Sequence, residues 1–228
     1  MKLDFATVIP EMWPFLLSGL KVTVTISLIS IALGVLIGFL SCIMGMSKIA
    51  PLRGISNGYV WLIRGTPMIV QAYFVYFAIP AFVRMFVAGF TFTSFVAGVI
   101  TLSLNAGAYL SEIFRSGIQA VPVGQTEAAR SLGLTPGKTM MRVILPQAFK
   151  ITVPSIVNQF IISVKDTSIL SVISLPELVN MTQQYKGASY KIFEPYSLVA
   201  LFYLAIISIL MVFSKYVEKR MSYGSKRQ

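Results

Sequence analysis

From Val22 to Met46 the chain runs 25 residues without a charged side chain. At about 1.5 Å per helical residue this stretch exceeds the roughly 30 Å of hydrocarbon in a bilayer. It therefore constrains the fold more than any other feature: the chain is read as a membrane protein. Three further charge-free runs follow, Thr66 to Val83, Val87 to Ser111 and Tyr196 to Ser214, and a fifth stretch, Ile151 to Leu175, is interrupted only by Lys165 and Asp166. With their flanks these predict five transmembrane helices at about 16–46, 59–83, 87–111, 151–175 and 196–214, in an all-α fold with a single transmembrane domain, 1–228. The segment before Val22 lacks a compact basic run, a short apolar core and a small-residue cleavage site, so the first span is expected to be an uncleaved anchor.

Composition agrees and excludes much chemistry. Only 12% of the residues are charged, where a soluble domain carries about a quarter. Histidine is absent and Cys42 is the single cysteine, which removes Ser-His-Asp catalysis, His or Cys metal sites, haem ligation by His and intrachain disulfides. No metal site is expected. The two aspartates are Asp4 and Asp166, with Asp4 at the extreme N-terminus, so a paired-aspartate protease is improbable.

Five spans put the termini on opposite sides, and the net charge of +11 indicates which is inside. With the C-terminus cytoplasmic, 13 of the 19 basic residues face the cytoplasm, among them Lys48, Arg53, Arg142, Lys150, Lys226 and Arg227. Lys2, Lys21, Arg84, Lys186 and Lys191 stay outside, and Lys165 lies within a span. The N-terminus is thus expected outside. The basic excess reads as an orientation signal and a contact with the lipid bilayer, not with nucleic acid, because no aromatic-basic stripe accompanies it.

The largest cytoplasmic feature is the loop 112–150 between spans three and four. Gln125 to Leu132 predicts a short helix stopped at Gly133, and Thr135 with Pro136 predicts the start of a second helix that ends at Pro146. Ala128 and Ala129 beside Glu127 form a small, smooth patch suited to insertion into a groove on another protein. The bland alternative is a solvated loop on the headgroups. Gly133-Leu134-Thr135-Pro136-Gly137-Lys138-Thr139 only mimics a phosphate-binding loop, having three residues between its glycines instead of four and following a helix rather than a strand. No nucleotide or other cofactor site is expected on this chain.

Glu127-Ala128-Ala129, then Gly133, then Val143-Ile144-Leu145-Pro146 resembles the E-A-A, G, I-x-L-P signature of bacterial ABC importer permeases, with valine in the isoleucine place. Arg64-Gly65-Thr66-Pro67, Glu112-Ile113-Phe114-Arg115 with Gly117-Ile118 and Pro122, and Lys165-Asp166-Thr167-Ser168 resemble its polar amino-acid uptake branch, so the likeness covers almost the whole chain. The resemblance implies a permease of the methionine-importer type in the bacterial inner membrane. It also implies a second permease copy, identical or not, two ATP-binding subunits that use ATP and Mg, and an extracytoplasmic substrate-binding protein. Glu127, Ala128, Ala129, Gly133, Leu145 and Pro146 would then form the ATPase-coupling region, and the activity would be import of a polar amino acid without covalent catalysis.

Substrate contacts are expected among polar residues inside the spans. Asp166, with Thr167 or Ser168, could hold an ammonium group, since an isolated carboxylate in a span needs a partner or water. Lys165, about 100° away around the helix, is expected to address a different neighbour, unless one of the two snorkels. Thr66 could cap a helix begun by Pro67, with Gly65 beside it, and offer the N–H groups of Met68 and Ile69 to a carboxylate. Asn105, Gln71, Asn158 and Gln159 rank below Asp166 as candidates, since such residues are more often interhelical hydrogen bonds than ligand contacts. Glu112 is expected to pair with a basic residue of the loop, and Ser30, Gly34 and Gly38 to mark close helix packing. Two alternatives remain: an ion-coupled secondary transporter, which would need an internal repeat that is not evident, and a hydrolase using Ser163 and Lys165.

Overall fold

The computed structural model describes residues 3–222, all helix, turn or loop with no strand among them. Lys2, Lys226 and Arg227, which entered the charge argument, lie outside the described residues. The first helix, α1, runs Phe5–Gly45. Asp4 starts it, its carboxylate accepting from the Thr7 N–H at 3.2 Å, as N-capping requires. At about 60 Å, α1 is twice as long as a bilayer demands, so it begins well before the expected 16. Its first turns gain stability by packing instead: Val8, Met12 and Leu16 bury against Leu178, Tyr185 and Val199. Further along, the predicted small-residue contact is present. A side chain at Gly38 would stand 2.8 Å from the Gly107 carbonyl oxygen, so only glycine permits this approach of α1 to α5 (Ser94–Gln119).

The expected second span, 59–83, is not one rod. It consists of α2 (Ala50–Arg64), then α3 (Met68–Tyr73), a wide turn at Phe74–Ala78 and α4 (Ile79–Val83). The two parts meet at 107°. Pro67 explains the break, because it disfavours helical geometry at Thr66 and then serves as the extended residue that starts α3.

The third span lies further along the chain than the apolar run 87–111 suggested. Gly89 takes φ +75° and ends the preceding turn, and the Thr93 hydroxyl caps α5 by accepting from the Val96 N–H. Glu112 consequently sits inside α5 rather than at the start of a loop, and the loop contracts from 112–150 to 120–135. It holds α6 (Val123–Ser131), followed by α7 (Pro136–Thr139), which starts the next helical rod. Gly133, at φ +81°, and the Thr135 hydroxyl accepting from the Lys138 N–H behave as predicted.

Pro146 does not end a helix. A wide turn at Met140–Ile144, in which the Leu145 N–H reaches back five residues to the Met140 carbonyl, opens the ladder and accommodates the proline ring, a known use of such bulges. The rod therefore continues through α8 (Leu145–Asp166). It tightens at Thr167–Ile173 and stops at Ser174 in the left-handed conformation. The fourth span thus starts before 151, and Asp166 marks a change of helical pitch instead of a mid-helix position. After α9 (Leu178–Ser189), α10 runs Phe193–Ser222, longer than the expected 196–214. Helices α1 and α5 form the centre, α3 and α8 flank α5, and α10 lies on α8 and α9.

Candidate functional site

The break in the second span is held by side chains, not left open. The Gln71 amide nitrogen donates to the carbonyl oxygens of Ile63 (2.7 Å) and Thr66 (3.1 Å) and to the Thr66 hydroxyl (2.9 Å). With two protons for three acceptors, one bond is shared. The Gln71 carbonyl accepts from the Asn105 amide at 3.2 Å. Gln71 and Asn105 are both buried, so this latch fixes α2, α3 and α5 in one geometry. The expected capping role of Thr66 is corrected: its hydroxyl donates back to the Leu62 carbonyl at 2.8 Å, and Pro67 begins α3 with no side-chain cap. Gly65 is where α2 closes, donating to the Trp61 carbonyl, and a side chain there would meet that oxygen at 2.7 Å.

Beside the latch opens a cavity of about 470 Å³ lined by Arg64, Tyr109, Glu112, Ser116, Thr152, Ser155 and Gln159 together with Ile113, Gly117, Ala120 and Ile151. That volume falls within the range of small-molecule sites, roughly 300–1,000 Å³. Its polar lining follows from helical periodicity. Asn105, Tyr109, Glu112 and Ser116 fall within about 60° of one another around α5, as do Thr152, Ser155, Gln159 and Asp166 around α8, at 100° per residue. Two polar stripes, one on each helix, run the length of the contact. Glu112 accepts from Arg115 at 2.6 Å and lies 3.7 Å from Arg64, and the Arg64 guanidinium sits 5.3 Å from the centre of the Tyr109 ring. One carboxylate between two guanidinium groups leaves a net positive charge at this end. The pairs are half-exposed, so each contributes at most about 1 kcal/mol to stability.

The structure thus joins Gln71, Thr66 and Asn105, and aligns Asp166 with the cavity stripe, but no hydrogen bond or ion pair links Asp166 to that latch among the described residues. Asp166 is partly buried and Lys165 exposed, and the two do not pair. Thr167 and Ser168 donate their hydroxyls to the Val164 and Lys165 carbonyls, both at 2.7 Å. The tight turn they open packs against α3, so the two interrupted helices meet. Glu112 has basic partners, but they are Arg115 on its own helix and Arg64 of α2 rather than a residue of the loop. Tyr109, Ser116 and Ser155 were not singled out from sequence, although the i, i+4, i+7 spacing of polar residues through apolar spans carried the signal. Asn158 is exposed, away from the stripe. Ser163 is buried and Lys165 lies about 200° around the helix from it, a poor arrangement for a nucleophile and its base.

Helix α6 presents Glu127 and Ala128 to solvent, flanked by Val123 and Leu132, whereas Ala129 is buried. The expected smooth patch is therefore split, with Ala129 anchoring α6 inward. Gln147 donates to Gln125 at 3.3 Å and Arg130 to the Leu134 carbonyl at 2.7 Å, tying α6 to α8 and to its own turn. Leu145 and Pro146 belong to the root of α8, not to the exposed helix.

Similarity to known proteins is extensive. The arginine transport system permease protein ArtQ of Bacillus subtilis (strain 168) is 38% identical over 221 residues, 97% of this chain and 98% of its own. The crystal structure of an amino acid ABC transporter with histidines superposes with a TM-score of 0.90 at 36% identity, covering 96% of this chain and all of that one. An inward-facing structure of the MetNI methionine ABC transporter gives 0.74 at 20% identity over 93% of this chain and 98% of its own, which attests the methionine-importer type of fold. Residues 34–223 match the family described as binding-protein-dependent transport system inner membrane component. The chain belongs to that family, as a permease of the amino-acid ABC transporter kind.

Proposed function

We propose that the chain forms one half of the conduit of an ATP-driven importer that carries a polar amino acid into the cytoplasm across a bacterial inner membrane. Its N-terminus is external, as the basic-residue bias supports. The observation that carries the reading is the polar cavity between α5 and α8, which Arg64 of α2 also lines and which reaches Gly117 and Thr152, where the two helices pack closely. In this reading a second permease copy completes the conduit, an extracytoplasmic binding protein delivers substrate, and two ATP-binding subunits use ATP and Mg. ATP binding draws the exposed faces of the two α6 helices together, and α8, linked to α6 by Gln147, transmits the movement to the stripe. The chain itself binds no cofactor and forms no covalent intermediate.

Within the conduit, Asp166 and the Ser168 oxygen receive the substrate ammonium. The Met68 and Ile69 N–H groups that begin the half-helix after Gly65 receive its carboxylate. Thr66, Gln71 and Asn105 position that half-helix. An ammonium bound to a carboxylate is worth about 1.5–3 kcal/mol, so Asp166→Asn is expected to lower kcat/KM for uptake by roughly ten- to a hundredfold or more in transporters that assemble normally. An unchanged uptake rate removes Asp166 from the pathway. Uptake that survives deletion of the ATP-binding subunits would instead favour an ion-coupled transporter.

A further inference from the structure

We propose that an apolar groove on the opposite flank of the α5–α8 crossing is a binding site for an anionic phospholipid of the cytoplasmic leaflet. The groove encloses about 320 Å³ between Val35, Leu36 and Phe39 of α1, Phe114 and Ile118 of α5, and Leu145, Ala148, Phe149 and Thr152 of α8. Its depth follows from helical rise. Phe39 and Val35 lie six and ten residues before the end of α1, about 9 and 15 Å along it, within the inner half of a bilayer on the orientation proposed above. The walls carry no charge, and Leu36 and Phe149 are each about 60% exposed, so the mouth opens to the side, where hydrocarbon is the surrounding solvent.

Apolar contact alone does not select a ligand in a membrane, because acyl chains are as apolar as the side chains they touch. Selectivity comes from the rim. Lys48, three residues beyond α1, and Arg142, three residues before Leu145, are both exposed at the cytoplasmic end of the two outer walls. The Glu112 carboxylate is engaged with Arg64 and Arg115. A basic rim above an uncharged slot complements one molecule in particular, a lipid with an anionic headgroup and an acyl chain. The floor of the slot matters for function. Ile118 and Ala148 also belong to the cluster with Val121 and Ile144, and the turn Met140–Ile144 packs against α6, so the occupant touches residues that pack on the turn against which that helix rests.

Each basic residue near the membrane surface favours an anionic lipid about fivefold. With the full chain in vesicles mixing phosphatidylglycerol and phosphatidylcholine, each with a photoactivatable acyl chain, irradiation is expected to label Leu36, Phe39 and Phe149 with phosphatidylglycerol about 25-fold over phosphatidylcholine. Lys48→Gln or Arg142→Gln should reduce that preference to about fivefold, and Leu36→Trp, a change at the exposed mouth, should abolish labelling of Phe39 and Phe149. Equal labelling by the two lipids overturns the proposal, as does labelling indifferent to Leu36→Trp or a groove found covered by a second copy of the chain or another protein.

Discussion

Replacing Gln71 with leucine removes the side chain that bridges the break between α2 and α3 and keeps its approximate volume. In the native protein its amide donates to Ile63 and Thr66 and accepts from Asn105. The substitution leaves the buried Asn105 amide without that acceptor and frees the Ile63 carbonyl. Hydrogen bonds between helices in membranes average about 0.6 kcal/mol each, and a buried polar group left unpaired costs about 1–3 kcal/mol. Three lost bonds set a floor near 2 kcal/mol, and two orphaned groups at the middle of their range give about 4 kcal/mol. Gln71→Leu is therefore expected to destabilise the folded chain by about 2–4 kcal/mol, measured by reversible unfolding in mixed micelles. Asn105→Leu breaks one bond and should cost less. Because the two residues share that bond, the double variant should fall short of additivity by about 0.5 kcal/mol or more. A Gln71→Leu protein within 0.5 kcal/mol of wild type would show that the break is held by apolar packing alone, and the latch account would fail.

Gly117→Ala should destabilise by about 1–3 kcal/mol, since the added methyl would fall on Cγ2 of Thr152, a β-branched side chain with little freedom to turn away; Thr152→Ala in the same chain should restore most of the loss, and an undisturbed single variant would refute the close crossing. Before the first turn of α1, Lys191 donates to Asp4 at 2.8 Å, which holds the Asp4 carboxyl below its ordinary 3.8 and the Lys191 ammonium above its ordinary 10.5. The Asp4 contribution is thus complete above pH 3.8 and lost as pH falls through the depressed value. The Lys191 contribution is complete below pH 10.5 and lost as pH rises through the raised one. Protection of the first-turn amides of α1 against hydrogen exchange, relative to their intrinsic rates, should be flat between those limits, and Lys191→Gln should lower it at pH 7; protection unaffected by that change would remove the clamp.

Much of the fold is legible in the sequence because hydrocarbon thickness and helical rise leave little choice where charge is absent for 25 residues. The errors arise where apolarity stops being the deciding quantity. Val87 to Phe92 reads as span but contains Gly89, which takes a left-handed turn, so α5 starts only at Ser94. Pro146 reads as a stop, yet a wide turn just before it removes the clash that would have ended the helix. Such a bulge depends on tertiary context and leaves no local mark. In the site, the charged and amide residues stood out individually, whereas their partners did not. Gln71 is as plausible a ligand contact as a latch until the position of Ile63, eight residues earlier, is known. The burial of Ala129 beside an exposed Ala128 was likewise invisible, since α6 packs against the turn Met140–Ile144, a contact with no local mark in the sequence.

The central claim is that the exposed face of α6 is gripped by a nucleotide-hydrolysing subunit. Ala128→Cys in the membrane-embedded assembly, coupled to a short reagent that is thiol-reactive at one end and photoactivated at the other, tests it most directly. The account predicts a crosslink to the ATP-binding subunit that forms and fades with nucleotide state and blocks hydrolysis stimulated by loaded binding protein. A cysteine that reacts only with reagent supplied from the extracytoplasmic side, or that joins to no other polypeptide in any nucleotide state, would contradict it.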